Sequence, residues 1–113
     1  MGVLDRLLGR QRPGMRRVAS DADNDYLEQW AACRRGVEAF VEPRTTVTET
    51  TMVLVAHDGE WTRRRVDGNQ GARRLGKRLR IPVYDVVLVG YPRRMRDYTT
   101  RQRILRERGE QGR

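Results

Sequence analysis

The middle of the chain carries the pattern of a β-hairpin. Eight of the twelve residues 45–56 are Thr or Val, and β-branched side chains of this kind favour strands. The dipeptide Asp58-Gly59 follows, and both of its residues tolerate the positive φ angles of a tight hairpin turn. We therefore predict two antiparallel strands over residues 44–66. A two-residue turn would place Leu54 opposite Arg63, so that Trp61, Arg63 and Arg65 share a face with Leu54.

Helical patterns lie on both sides of this hairpin and near the C-terminus. The spacing of apolar residues predicts helices over residues 25–41, 70–80 and 99–110. The first of these would end at Glu42-Pro43, because the residue before a proline is disfavoured in the α region. Residues 83–91 are apolar on both alternating sides, which is typical of a strand covered on both faces.

The order of these elements predicts one small α+β domain with a three-stranded mixed sheet. Its order is helix, strand, strand, helix, strand, helix, and the helical crossover makes the last strand parallel to the second. We expect the sheet order 2-1-3, with the Arg-rich second strand at an exposed edge and the last strand at the other. A homodimer could pair through that other edge. Residues 25–98 would form the domain, preceded by an amphipathic stub and linker over 1–24 and followed by a basic helix or tail over 99–113.

The composition narrows the class of protein. Leu, Ile, Val and Phe make up about a fifth of the 113 residues, close to the ~20% below which charged chains stay disordered. The longest apolar run, the five residues Met52–Ala56, is far shorter than the ~20 residues that span a membrane, so we expect no membrane span. The single cysteine, Cys33, excludes an internal disulfide and favours the reducing cytoplasm. One His and one Cys leave no zinc site of these two residue types, and we predict neither metal nor cofactor.

The net charge of +9 is unevenly distributed along the chain. Residues 1–20 carry +4, residues 21–60 carry −6 and residues 61–113 carry +11. A basic half of this kind suggests a polyanionic partner, of which nucleic acid is the commonest. A second interpretation stays open, because 23 of the 24 cations are Arg, as codon bias in a GC-rich genome would produce without selection for binding.

The basic side chains predicted to contact nucleic acid come from the second strand, the following helix and the segment after the last strand. Guanidinium groups pair with phosphates through two parallel N–H bonds, and aromatic rings stack on unpaired bases. The binding candidates are Arg63, Arg64, Arg65, Arg73, Arg74, Lys77, Arg78, Arg93, Arg94 and Arg96, and the stacking candidates are Trp61, Tyr91 and Tyr98. Phosphate contacts carry no sequence information, so we expect non-specific binding. Alternatively, several of these arginines pair with the acids of residues 21–60, within the chain or across a dimer.

Two motifs could carry catalysis, and neither is complete. Residues Gly71–Lys77 match the start of a phosphate-binding loop, GxxxxGK, but Arg78 stands where a Ser or Thr should hold magnesium, and the match lies inside a predicted helix. His57, Asp58 and Glu60 gather at the hairpin tip, yet the acid-x-Lys spacing of a metal-dependent nuclease is missing. A solvated turn accounts for them, and we predict no catalytic residues.

Two segments carry a family resemblance. The sequences TVTETTMVLVAHDGEWTRRR and IPVYDVVLVGYPRRMRDY resemble a family of small uncharacterised actinobacterial proteins, some of which bear an automatic oxidoreductase label. The resemblance implies a GC-rich source, in keeping with the excess of Arg, and implies no established activity. No GxGxxG, CxxC or haem motif supports the redox label. We predict a small basic nucleic-acid-associated binding module, or alternatively a protein-interaction adaptor or homodimeric scaffold without catalytic activity.

Overall fold

A computed structural model of the protein describes residues 21–111, which form a four-stranded mixed sheet with helices on both faces. The helices are α1 (Asp21–Ala32), α2 (Gly68–Leu79), α3 (Val86–Val89) and α4 (Arg93–Gln111). The strands are β1 (Glu38–Glu42), β2 (Thr51–Val55), β3 (Trp61–Arg65) and β4 (Val83–Asp85), in the sheet order β3-β2-β1-β4. The α+β class is confirmed. The helical part of the predicted N-terminal stub lies outside the described residues, and α1 begins inside the predicted linker.

The strand β1 was not predicted, because the sequence pattern over residues 25–41 was interpreted as one helix. That prediction is wrong beyond Ala32, where α1 ends and a turn with Gly36 at φ +62° leads into β1. Phe40 and its two neighbours in β1 are buried in succession, as expected for a central strand covered on both faces. Consecutive apolar residues fit such a strand as well as they fit one side of a helix.

The hairpin of β2 and β3 is confirmed, but its register differs from the prediction by one residue. The Ala56 N–H donates to the Glu60 carbonyl at 2.8 Å, so the loop has three residues and ends at Gly59, with φ +96°. Val53, rather than Leu54, therefore faces Arg63. A three-residue loop that ends in a left-handed glycine is a common alternative to the two-residue turn.

Because of this one-residue shift, each side chain of β3 lies on the opposite face of the sheet from the one predicted. On the α1 and α2 side of the sheet, Thr62 bonds to Tyr26 and Arg64 lies over the Tyr26 ring, while Trp61 packs against the cluster on the opposite side. The larger core lies on the first side and comprises Leu27, Trp30, Val37, Ala39, Val41, Met52, Leu54, Ala56, Val66, Ala72 and Leu75. The smaller core lies under α3 and α4 and comprises Phe40, Val53, Val55 and Met95. The prediction that Trp61, Arg63 and Arg65 lie on the same side as Leu54 is therefore wrong.

The predicted strand over residues 83–91 is only three residues long. The side chain of Asp85 accepts a hydrogen bond from the Val87 N–H at 2.8 Å and so caps the short helix α3, which ends at Gly90 with φ +74°. Helix α4 then begins six residues earlier than predicted, and Thr99 lies inside it with its hydroxyl donating to the Met95 carbonyl. Thr99 is therefore not the N-cap of this helix.

The two edges of the sheet agree with the predicted arrangement. The Arg-rich β3 forms one edge, and β4 forms the other. β4 runs parallel to β1, and β1 and β3 are each antiparallel to β2, so β4 and β3 point in the same direction as predicted. The inserted β1 accounts for the fourth strand.

Candidate nucleic-acid interface

Helix α2 carries four exposed cations and no acidic residue. Arg73, Arg74, Lys77 and Arg78 are exposed, and no acidic residue lies between Gly68 and Leu79. The helical period turns Ala72, Leu75 and Gly76 into the core, so all four cations are directed outward. The predicted basic helix over residues 70–80 is confirmed, with its bounds at Gly68 and Leu79.

A cavity of about 330 Å³ lies between α2 and the β4 edge. Its lining combines two cations, one carboxylate, an amide and apolar side chains: Arg73, Lys77, Asp85, Asn69, Val41, Ile81, Val83 and Tyr84. The close approach of α2 to β4 depends on Gly76, because a Cβ atom there would overlap the Val83 side chain. The cavity lining thus combines charges of both signs with apolar side chains.

Four of the ten predicted binding residues are neutralised inside the described chain. The ion pairs are Arg63–Glu42 at 2.8 Å, Arg64–Asp23 at 3.9 Å, Arg78–Glu28 at 3.3 Å and Arg94–Glu38 at 2.7 Å. All four acids belong to residues 21–60, which confirms for these pairs the alternative interpretation of the charge asymmetry. Within residues 21–111, no ion pair forms at the remaining six: Arg65, Arg73, Arg74, Lys77, Arg93 and Arg96.

The carboxylate of Glu42 is the most heavily hydrogen-bonded acid of the described chain. It accepts two bonds from the Arg63 guanidinium, at 2.8 and 2.9 Å, and one each from the hydroxyls of Thr51 and Tyr91. Burial acts to raise the pKa of Glu42, but the bonds from Arg63, Thr51 and Tyr91 outweigh it and leave the pKa lowered. The hydrogen bond to Glu42 raises the pKa of Arg63. Burial, followed by the bond to Glu42, raises the pKa of Tyr91. Arg63 and Tyr91 are thus committed to a structural cluster.

The other stacking candidates also serve internal contacts. Trp61 donates from Nε1 to the Thr99 hydroxyl at 3.1 Å, and Tyr98 lies under the Arg101 guanidinium at 5.9 Å from the ring centre. Trp61 packs on the sheet face opposite α2, so the structure does not bring the predicted stacking residues together with the α2 cations. Tyr84 of β4 does not supply a stacking ring there either, because its ring packs against Phe40 on the opposite face of the sheet, with the ring centres 5.4 Å apart.

The hairpin tip is built as a structural turn. The Asp58 carboxylate accepts a hydrogen bond from the Glu60 N–H at 3.0 Å, and the Glu60 carboxylate accepts two bonds from Arg34, at 3.0 and 2.8 Å. The Arg34 guanidinium also lies over the Trp30 ring at 4.1 Å, and its bond to Glu60 raises the pKa of Arg34. These contacts hold Asp58 and Glu60 within the turn. No cluster of three or more His, Cys, Asp or Glu able to hold a metal occurs within residues 21–111.

The GxxxxGK match and Cys33 are the two remaining sequence features whose places in the fold bear on function. The GxxxxGK match lies inside α2, as predicted, so its backbone N–H groups are part of a helix rather than a phosphate-wrapping loop. The helix predicted over residues 25–41 would contain Cys33, but Cys33 follows the end of α1 and is exposed.

Comparison of the chain with protein-family models, with curated proteins and with solved structures finds no match. The resemblance to the actinobacterial family therefore stays a prediction. Between residues 21 and 111, none of the helices combines the length and the apolar character that crossing a membrane requires. Function is therefore inferred from the geometry and charge of α2 and its surroundings.

Proposed function

We propose that the protein is a small nucleic-acid-binding module of the reducing cytoplasm that contacts the phosphate backbone through α2. The observation that carries the proposal is that Arg73, Arg74 and Lys77 are exposed on one acid-free helix and form no ion pair with any residue of 21–111. Cations held outward on a helix, and not already bound in an ion pair within residues 21–111, are available to pair with phosphates.

The proposed surface is narrower than the sequence prediction. Arg63, Arg64, Arg78 and Arg94 are held by carboxylates of the same chain, so they would have to break ion pairs to bind phosphate. Three unpaired cations predict a salt dependence with a slope of about −3 in log K against log salt, since each neutralised phosphate contributes about −0.9. A fourfold increase in salt should therefore weaken binding roughly 40-fold.

The experiment is fluorescence anisotropy with labelled single- and double-stranded oligonucleotides at ~50 and ~200 mM salt. The double variant Arg73→Glu with Arg74→Glu should lose binding at both salt concentrations, because it replaces two attractive contacts with two repulsive ones. The double variant Arg106→Glu with Arg108→Glu makes the same change in net charge on the exposed end of α4 and is the matched control.

The two double variants separate three outcomes. Loss of binding in the α2 variant alone supports the proposed surface. Equal losses in both would mean that net charge alone attracts the oligonucleotide, and unchanged binding of the α2 variant would refute the assignment. Thermal unfolding of both variants checks that the fold is retained.

A second candidate function is that of a protein-interaction adaptor or homodimeric scaffold without catalytic activity. The observation that favours it is an apolar surface on α3, where the side chains of Val87 and Leu88 are 71% and 81% exposed. Such a surface is costly to leave in water unless a partner covers it.

A further inference from the structure

The helix α3 presents a contiguous apolar surface to solvent. Of its four residues, only Val86 packs against the core cluster beneath α3 and α4. Val87, Leu88 and Val89 are 71%, 81% and 57% exposed. Three adjacent aliphatic side chains on one short element make a patch, which differs from the isolated exposed apolar residues that every protein surface carries.

The adjoining strand β4 is an open sheet edge. β1 is its neighbour on one side, and no strand of residues 21–111 pairs with its other side. The Ala39 N–H donates to the Pro82 carbonyl at 2.9 Å, and Ala39 stands opposite Val83 in the parallel register. In a parallel ladder this alternation directs the backbone groups of Pro82 and Tyr84 toward β1 and those of Val83 outward. The open edge therefore offers a free donor and a free acceptor beside the α3 patch.

We propose that a second copy of this chain covers this surface, with β4 pairing antiparallel to β4 of the partner subunit across a two-fold axis near Tyr84. A two-fold interface requires a self-complementary surface, and this one is self-complementary in two respects. The apolar α3 patch meets its own copy. In addition, the cavity between α2 and β4, called the edge cavity below, is lined by Asp85 together with Arg73 and Lys77. Each copy therefore offers both signs of charge to the other.

The pairing would bring opposite groups together at the edge. With Tyr84 at the axis, Val83 stands opposite Asp85 of the partner subunit, and the outward backbone groups of these two residues can exchange both hydrogen bonds. The carboxylate of Asp85 then lies at the junction of the two edge cavities, between the cations of both copies. This charge arrangement and the apolar contact distinguish a second copy from a polyanion, which would match only the cations.

This interface names the partner for the second candidate function, the homodimeric scaffold, and rests on it, but it does not depend on the nucleic-acid proposal. Antiparallel pairing of the two edges continues the sheet, so α2 and α2 of the partner subunit lie on the same face, on either side of the axis. Assembly would therefore join two basic helices into one wider cationic surface.

The test is the mass of the full chain in the absence of nucleic acid, measured by sedimentation velocity from low to high micromolar concentration. The mass should rise from 13.2 kDa toward twice that value. The variant Leu88→Asp should weaken the association by about tenfold or more, because it places a charge at the centre of the apolar contact. Leu88 is almost fully exposed in the single chain, so the variant is expected to fold.

The matched control is Val47→Asp, which makes the same kind of change at a 74% exposed valine in the loop between β1 and β2. It should associate as the unmodified protein does. A chain that stays at 13.2 kDa at every concentration overturns the proposal. So does a Leu88→Asp variant that associates normally, or a Val47→Asp variant that dissociates to the same degree.

Discussion

At the scale of single residues, Glu42 fixes three elements to one another. Its carboxylate joins the end of β1 to Arg63 of β3 and to Tyr91 of the connection between α3 and α4. The pKa of Glu42 is lowered in the folded chain, so the stabilisation is fully present above the unfolded pKa of about 4.3. This stabilisation is lost as the pH falls from the unfolded pKa through the lower, folded pKa, because the carboxylate takes up its proton more readily in the unfolded chain.

We therefore expect Glu42→Gln to lower the free energy of unfolding at neutral pH by about 1–2 kcal/mol and to flatten its decline in acid. Urea unfolding at a series of pH values between about 2 and 7 measures both effects. Glu49→Gln, in the loop before β2, is the control, since Glu49 forms no ion pair within residues 21–111 and should leave the acid limb unchanged. If Glu42→Gln retains the acid dependence of the unmodified protein, Glu42 is not its source.

At the scale of elements, the packing of α2 on β4 depends on the absence of a side chain at position 76. A Cβ on Gly76 would overlap the Val83 side chain, and the carbonyl of Gly76 accepts a bond from the Ile81 N–H at 3.0 Å. Gly76→Ala gains about 1 kcal/mol of helix propensity, but the overlap costs about 1–3 kcal/mol, so we expect a net loss of stability. Gly109→Ala in α4 has no neighbour within 4 Å and should be neutral or slightly stabilising. Urea midpoints compare the two, and an equal response would show that Gly76 has no special packing role.

The sequence predicted the elements whose signals are local and missed those whose limits depend on distant contacts. The Asp58-Gly59 dipeptide predicted the hairpin correctly. Its loop length depends on Gly59, which is buried where a Cβ would overlap the Arg94 carbonyl of α4. No pattern within the hairpin contains that contact. Likewise, residues 83–91 have the alternation of a strand, but Asp85 caps α3 once the chain has turned over the sheet.

The candidate site follows the same division. The run of Arg73, Arg74 and Lys77 on an acid-free helical pattern predicted the basic face of α2 without any knowledge of the fold. Which other arginines remain unpaired could not be predicted, because the partners are distant in sequence: Arg63 binds Glu42 across a sheet face, and Arg94 binds Glu38 from α4. Such pairings are decided by the strand order, which the unpredicted β1 changes, and by the hairpin register, which the three-residue loop changes.

At the scale of the whole molecule, the charges of the described chain are separated by the fold as well as by the sequence. Five acids of α1, β1 and the hairpin tip form ion pairs with arginines of the same chain. The cations of α2 stay exposed beside the β4 edge. If a second copy pairs with that edge, the α2 cations of both copies lie on one face. The salt dependence of oligonucleotide binding should therefore change when the chain dimerises.

The dimer should bind oligonucleotides with a steeper slope of log K against log salt than a single chain, which should show about −3, because the cations of both α2 helices then face one ligand. Leu88→Asp should therefore bind more weakly and with the shallower slope, although Leu88 itself contacts no phosphate. Val47→Asp has the same net charge and should keep the steeper slope, which separates assembly from a simple loss of positive charge. Fluorescence anisotropy at four or more salt concentrations measures both slopes. Equal slopes for the two variants would mean that each chain binds the oligonucleotide independently. Each oligonucleotide would then contact the cations of one α2 helix only, in the single chain and in the dimer alike.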